Sequence, residues 1–302
     1  MSGFLPTEKG TPIRYPSVAN LVISTEDRDI LNDPFGCWNF QISRPNNLQN
    51  GFFTRIAPTE MKLLWCVPNI QEAYPGFEGN TSISVDISGT GGNAFNGTVN
   101  ATLTRGFYTV AQVLDGLVAS LNGQTGTTGA TFSVATTPRP VGISCTGAVW
   151  RLTPAGITIL ATQLGFDIFD NTYTARKNIL SCPNLQLTAY LDFVSEQLTY
   201  AQDVKDSSSA TTARNVLLRW YMAWDEQPQL DAYGFPILMG YTQFAARRDF
   251  ANAKQIRWNT ALPVGNISFQ IYDSRGLAFS PPLNYAGLEP SEWYMTLQLS
   301  EI

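Results

Sequence analysis

Apolar residues recur at every second position in six segments of this chain, and this spacing constrains the fold more than any other feature. Successive side chains of a β-strand point to opposite sides of a sheet, so each segment presents one apolar face to a core. A further segment, residues 61–67, is almost entirely apolar and is typical of a strand covered on both faces. The alternating segments are residues 38–43, 82–88, 185–193, 216–224, 267–271 and 293–299.

Connections rich in proline and glycine separate these segments. Examples are Pro75-Gly76, Pro138-Arg139-Pro140 and Pro281-Pro282. Many strands joined by such turns predict an all-β sandwich or barrel.

Helical spacing is clearest at residues 110–121. Thr109 and Gln112 have the spacing of a capping box, and Gly123 is expected to end the helix. A second, shorter helix is predicted from Thr153, as its N-cap, to Gly165.

Charge density divides the chain into parts. Residues 77–170 contain both predicted helices but only eight charged residues, against 35 in the other 208 residues. We therefore expect an inserted α+β domain at residues 77–170, within a β domain made of residues 18–76 and 171–302. Residues 1–17 contain three prolines and no clear period, and they predict an extended arm.

Composition excludes several classes of function. The chain has no histidine, which rules out catalytic systems and metal sites that need imidazole. A net charge of −5 makes nucleic acid an unlikely partner, because binding to phosphates needs a basic excess. Charged residues make up 14% of the chain, well below the usual share of about 25%, which favours a subunit that buries much of its surface in an assembly.

The four cysteines and the N-terminal sequence carry no signal for metal binding or targeting. Cys37, Cys66, Cys145 and Cys182 have neither C-x-x-C nor zinc-site spacing, so we expect reduced, buried thiols. We expect no signal peptide, no myristoylation and no membrane span. No metal and no cofactor are predicted.

Possible catalytic motifs are weak. The glycine-rich residues 89–94 follow a strand-like segment, but the next residues are extended rather than helical, which favours a surface loop. Carboxylate pairs of the kind that glycosidases use are better explained as solvated loop charges, so we expect no enzymatic activity. These pairs are Asp225 with Glu226, Asp27 with Asp29, and Glu289 with Glu292.

Two sets of aromatic residues are candidates for binding. Basic and aromatic residues mix in residues 247–258, where they can contact nucleic acid or, more simply, form a solvated or interface loop. The interface candidates are Arg247, Arg248, Phe250 and Trp258. Ordinary packing explains most of the second set, which are candidates for a sugar pocket: Tyr74, Phe77, Tyr173 and Tyr233.

Motifs spread over most of the chain after residue 20 carry a family resemblance. They include residues 38–43 (WNFQIS), 53–60 (FTRIAPTE), 65–70 (WCVPNI), 104–109 (TRGFYT), 163–166 (QLGF), 198–203 (LTYAQD), 219–225 (RWYMAWD), 267–273 (ISFQIYD) and 293–301 (WYMTLQLSE). With these motifs the chain resembles the penton, or vertex, proteins of virophages and polinton-like viruses.

The resemblance implies a single jelly roll of two antiparallel sheets, with about four strands in each. It also implies a structural virion protein, made in the host cytoplasm or a viral factory, that forms homopentamers at the icosahedral fivefold vertices. The implied partners are other copies of the chain and a larger double-jelly-roll major capsid protein. In such a particle we expect the arm at residues 1–17 to order against a neighbour or the inner capsid face.

Two other classes stay open at this point. One is a virion attachment protein that binds a glycan or another host receptor, or a cement protein. The other is a β-sandwich glycosidase that uses Asp225 and Glu226.

Overall fold

The computed structural model of the chain is dominated by antiparallel strands. It describes residues 18–28, 36–43, 55–90, 96–125, 129–153, 158–199, 216–222, 229–251, 255–257, 266–281 and 291–300. The predicted arm at residues 1–17 and the candidate residues Trp258, Asp225 and Glu226 lie outside this set.

Two sheets form a sandwich. The first sheet has the order β1 (Val18–Ser24), β15 (Glu292–Ser300), β3 (Arg55–Trp65) and β12 (Phe244–Asp249), and β13 (Ile256–Arg257) also pairs with β3. The second sheet has the order β11 (Val216–Tyr221), β10 (Tyr190–Val194), β14 (Asn266–Tyr272) and β2 (Asn39–Ser43).

The strand order identifies the architecture. When the eight strands on these two paths are counted along the chain, the first sheet reads 1-8-3-6 and the second reads 5-4-7-2. Two interleaved Greek keys produce this order in a jelly roll. The fold class predicted from the sequence, an all-β jelly roll with an inserted α+β segment, is confirmed.

Large aromatic residues fill the space between the two sheets. Trp293 is fully buried, and its ring centroid lies 5.5 Å from that of Phe40, 5.2 Å from Phe193 and 5.3 Å from Phe269. Its indole N–H donates to the Cys37 carbonyl over 2.9 Å, which satisfies the polar atom of this buried side chain. The alternation predicted for residues 293–299 is thus confirmed, because residues 293, 295, 297 and 299 all face this core.

The segment between β3 and β10 builds most of a second hydrophobic core. It contains two three-stranded sheets and two helices, α1 (Val110–Thr125) and α2 (Ile159–Gln163). The strands are β4 (Ser82–Gly89), β5 (Asn96–Thr102) and β8 (Ala148–Leu152) in one sheet, and β6 (Thr131–Ala135), β7 (Gly142–Thr146) and β9 (Arg176–Asn178) in the other.

Residues from outside this segment complete the second core. Leu238 and Tyr241, from the connection between β11 and β12, are buried in it. The Tyr241 hydroxyl accepts from the Leu185 backbone N–H over 2.7 Å, and burial raises the pKa of this tyrosine to about 12. Asp231, in the same connection, accepts from the Ala111 N–H at the start of α1 over 2.7 Å. The predicted domain boundaries at residues 77 and 170 stay a prediction.

The first predicted helix has its capping box but a different end. The Thr109 N–H donates to Gln112 Oε1 over 2.8 Å, and the Gln112 N–H donates to Thr109 Oγ1 over 3.3 Å. The predicted stop at Gly123 is wrong, because α1 continues to Thr125, whose hydroxyl donates to the carbonyls of Leu121 and Ala130.

The second predicted helix is shorter than expected. Thr158, and not Thr153, is the N-cap of α2, although residues 154–157 lie outside the described set. Gly165 follows the helix with a φ of 77°, in agreement with its predicted role. The chain also contains a 3-10 turn at Thr25–Asp27 and the four-residue helix α3 (Glu196–Thr199).

Three expectations about burial and strand length are wrong. The outer face of residues 61–67 is open, since Lys62 is exposed and Leu64 is half-buried. Residues 185–189 are not a strand, because the N–H groups of Leu185 and Ala189 donate to the side chains of Tyr241 and Ser274. Among the cysteines, which are all free thiols, Cys182 is exposed and Cys66 is half-buried.

Candidate assembly interface

Arg247 is the most exposed of the predicted interface residues that the structure describes. It lies on the outer face of β12 at the edge of the first sheet, and its side chain is 62% exposed. Its Nε lies 2.9 Å from Glu60 Oε1 on β3, and its Nη2 lies 3.4 Å from Asp249 Oδ1. Exposed ion pairs contribute little stability, about 0–1 kcal/mol, so this guanidinium is available for contacts outside the subunit.

Arg248 points to the opposite side of β12. Its guanidinium lies 4.5 Å from the ring centroid of Trp220 on β11, the edge strand of the second sheet. Burial lowers the pKa of Arg248, and the ring face offers the charge a favourable electrostatic contact. Arg248 therefore closes one side of the sandwich, and replacing it is expected to destabilise the subunit.

Phe250 packs against the core of the sandwich and is half-buried. The predicted candidates therefore do not form one patch: Arg247 points outwards, while Arg248 and Phe250 pack inwards. Strand alternation explains this division, since neighbouring residues of β12 face opposite sides.

A second charged cluster, which sequence reasoning missed, lies at the other edge of the first sheet. The Tyr294 hydroxyl on β15 lies 2.8 Å from Glu26 Oε1 and 3.2 Å from Glu292 Oε2. Burial and the two carboxylates raise the pKa of Tyr294. Glu26 precedes Asp27, which the sequence assigns to a solvated pair of loop charges, and its contact with Tyr294 joins residues that lie 268 positions apart.

A buried ion pair lies on the outer face of the second sheet. Arg219 Nε and Nη2 donate to the two oxygens of Asp192 over 2.6 and 2.8 Å, and Asp192 is only 6% exposed. This bidentate pair raises the pKa of Arg219, whose guanidinium also lies 3.9 Å from the ring centroid of Tyr190. Because the charges satisfy each other, we assign this cluster a structural role.

The structure separates the residues predicted for a sugar pocket. Tyr74 and Phe77 are buried against each other, with ring centroids 5.0 Å apart. Tyr173 is 43% exposed, but the Arg151 guanidinium lies 4.7 Å from its ring centroid. The Tyr233 hydroxyl donates to Asp115 Oδ1 over 2.5 Å, and the Tyr233 ring packs at the edge of the second core. These four residues therefore do not form a sugar-binding platform.

A pocket of about 130 Å³ lies beside β9 in the inserted segment. Its lining includes Asp170 and Lys177, whose Nζ lies 2.5 Å from Asp170 Oδ2. Hydrogen bonds from Lys177 and Thr172 lower the pKa of Asp170 to about 2. Asp170 and Lys177 pair with each other, and Arg176 donates to Asn178 and to backbone carbonyls, so this pocket is not a strong candidate for ligand binding.

Asp170 should stabilise the fold at neutral pH and lose this effect in acid. Its folded-state pKa lies below the unfolded value of about 4, so the contribution is lost as the pH falls from about 4 towards 2. We expect less than about 1 kcal/mol, because the side chain is partly exposed. Denaturant unfolding at pH 7 and pH 3 tests this: the Asp170→Asn variant should be less stable than wild type at pH 7, and the difference should shrink at pH 3. An unchanged difference would contradict the assignment.

No group of three or more metal-ligating side chains occurs among the described residues. None of the helices in the described ranges is long and apolar enough to cross a membrane.

Known proteins resemble this chain in structure and not in sequence. The sequence matches no family model, and no curated protein is significantly similar to it. The crystal structure of the mavirus penton protein is similar in structure, with a TM-score of 0.53 at 12% sequence identity, over 95% of this chain and 100% of that chain. A chain in the cryo-EM structure of the Sputnik virophage matches over 95% of this chain and 98% of its own length, at 12% identity and a TM-score of 0.47.

The similarity to the mavirus penton protein includes the inserted segment, because the match extends over nearly the whole of both chains. The resemblance that the sequence motifs predict is therefore confirmed at the level of the fold: the chain has the jelly-roll fold of a virophage penton protein.

Proposed function

We propose that this chain is a structural virion protein, the penton capsomer that forms homopentamers at the fivefold vertices of an icosahedral capsid. The observation that carries the proposal is the end-to-end structural similarity to the mavirus penton protein, inserted segment included. The described residues form one jelly roll, which fits a penton better than a double-jelly-roll major capsid protein.

The two edges of the first sheet differ from each other, as the contacts in a ring of five subunits require. A closed ring of five needs a heterologous interface, in which one patch binds a different patch on the next copy. β1 and β12, at opposite edges of this sheet, differ in charge and side-chain size, so each subunit offers two distinct lateral surfaces. In this proposal the major capsid protein surrounds the ring, and the arm at residues 1–17 orders against a neighbour or the inner capsid face.

Reconstruction of particles tests the proposed position. The full chain is co-expressed with the major capsid protein, and particles formed with and without it are compared by electron cryo-microscopy. We expect density for five copies at each fivefold vertex, absent from particles that lack the chain. Density on the capsid faces would favour a cement protein, and a trimeric projection that binds glycans would favour an attachment protein; either result would overturn the penton assignment.

A further inference from the structure

The edge strand β1 lacks the features that normally protect the edge of a sheet. Sheet edges are usually protected by charged residues, prolines, bulges or covering segments. β1 has the sequence VANLVIS, without charge or proline, and among the described residues it pairs only with β15. Val18 and Val22 are each 58% exposed on its outer face. An uncharged strand with two exposed valines is suited to burial against a partner.

The opposite edge of the same sheet is charged. β12 has the sequence FAARRD, and Arg247 points outwards from it. The guanidinium has five N–H donors, so its ion pairs with Glu60 and Asp249 leave donors available for a further carboxylate. The two edges thus differ in chemistry, as a head-to-tail contact requires.

Strand register places opposite charges at the same height on the two edges. Ser24, Tyr294, Lys62 and Arg247 form one row across β1, β15, β3 and β12. Glu26 follows Ser24 by two residues, and its hydrogen bond with the Tyr294 hydroxyl holds its carboxylate beside this row. The row therefore runs from a carboxylate at the β1 edge to a guanidinium at the β12 edge.

We propose that the β1 edge, with Val18, Val22 and Glu26, binds the β12 edge, with Arg247, of a second copy of this chain. If the ring axis runs parallel to the strands, the rotation that relates neighbouring subunits does not change the position of a residue along the axis. Residues at the same level on the two edges therefore face each other across the interface. Glu26 of one copy then meets Arg247 of the next, and the contact covers the two valines. This inference rests on the proposed function, because it names the two surfaces that close the penton ring.

Variants with reversed charges at Glu26 and Arg247 test the contact. Ring formation by the full chain is measured by sedimentation velocity at 50 and 500 mM NaCl. Measurements use whichever condition gives a wild-type ring, the protein alone or mixed with the major capsid protein. Glu26→Arg and Arg247→Glu should each weaken association at least about tenfold at low salt. The double variant carries an exchanged pair at every interface, and we expect it to recover to within about threefold of wild type.

Two further variants separate an interface effect from an effect on the subunit. Val22→Lys places a charge on the exposed edge of β1 and should leave a folded monomer that fails to form rings. Glu78→Arg, which reverses an exposed carboxylate elsewhere, should form rings like wild type. Circular dichroism checks that every variant retains its secondary structure and its melting temperature within a few degrees.

The outcomes distinguish this inference from the proposed function. Rings that are insensitive to both single charge reversals and to Val22→Lys would overturn the β1–β12 contact, while the penton function would stand. Failure of the double variant to recover, with all variants folded, would also contradict direct pairing of Glu26 with Arg247. A wild-type chain that stays monomeric with and without the major capsid protein would overturn both.

Discussion

Replacing Trp293 with alanine should lower the free energy of unfolding by about 3–5 kcal/mol, a large fraction of the stability of most domains. Trp293 is fully buried and contacts the rings of Phe40, Phe193 and Phe269, which belong to three different strands of the second sheet. The substitution creates a cavity between the sheets and leaves the Cys37 carbonyl without its indole donor. Denaturant unfolding followed by tryptophan fluorescence and circular dichroism measures the change.

Gln298→Ala is the matched control for this prediction. Gln298 lies on the same strand but on its exposed side, so we expect a change within about 0.5 kcal/mol. A loss below about 1 kcal/mol for Trp293→Ala would show that this side chain is not at the centre of the sandwich core.

Gly147→Ala should destabilise the inserted segment by about 3 kcal/mol, for two separate reasons. Gly147 joins β7 to β8 with a φ of 83°, in the left-handed region that disfavours residues with a Cβ. A Cβ at this position would also meet the Gly129 carbonyl oxygen at 2.2 Å, and the contact is with backbone that has little freedom to move. Thermal unfolding followed by far-UV circular dichroism measures the loss.

The same substitution at Gly123 should have the opposite sign. Gly123 is exposed inside α1, and no atom lies within 4 Å of the position that a Cβ would take. Alanine is a better helix former and reduces the entropy of the unfolded chain, so Gly123→Ala should stabilise by about 0.5–1 kcal/mol. Destabilisation by Gly123→Ala would show that the helix does not extend past residue 123, and an unchanged stability for Gly147→Ala would show that the conformation assigned to Gly147 is wrong.

Strands with one polar face could be predicted from the sequence, and strands without one could not. Residues 267–271 and 293–299 alternate cleanly because one face meets the core and the other meets water. β1 has valines on its exposed face, so its sequence lacks the alternation of polar and apolar residues that is typical of a half-buried strand. On β12 the Arg248 side chain points inwards and contacts Trp220, so a charged residue lies on the face that is apolar in a half-buried strand. Tertiary contacts decide both cases, and local spacing does not encode them.

Strand register limits what sequence alone predicts about the candidate interface. Composition identifies the basic and aromatic segment at residues 247–258, but alternation along β12 places Arg247 and Arg248 on opposite sides of the strand. The carboxylates around Tyr294 come from residues 26 and 292, and only the pairing of β1 with β15 brings them together. Likewise, Asp192 meets Arg219 because β10 and β11 are in register. The family resemblance predicted the fold, while these contacts required the structure.

The mass of the purified chain in solution shows whether five copies form a closed ring. Light scattering is measured on the protein alone and then mixed with the major capsid protein. Each subunit has a mass of 33.2 kDa, so the account predicts a closed ring of five with a mass of about 166 kDa. A mass of 33.2 kDa in both conditions, or a trimer of about 100 kDa, would contradict the account.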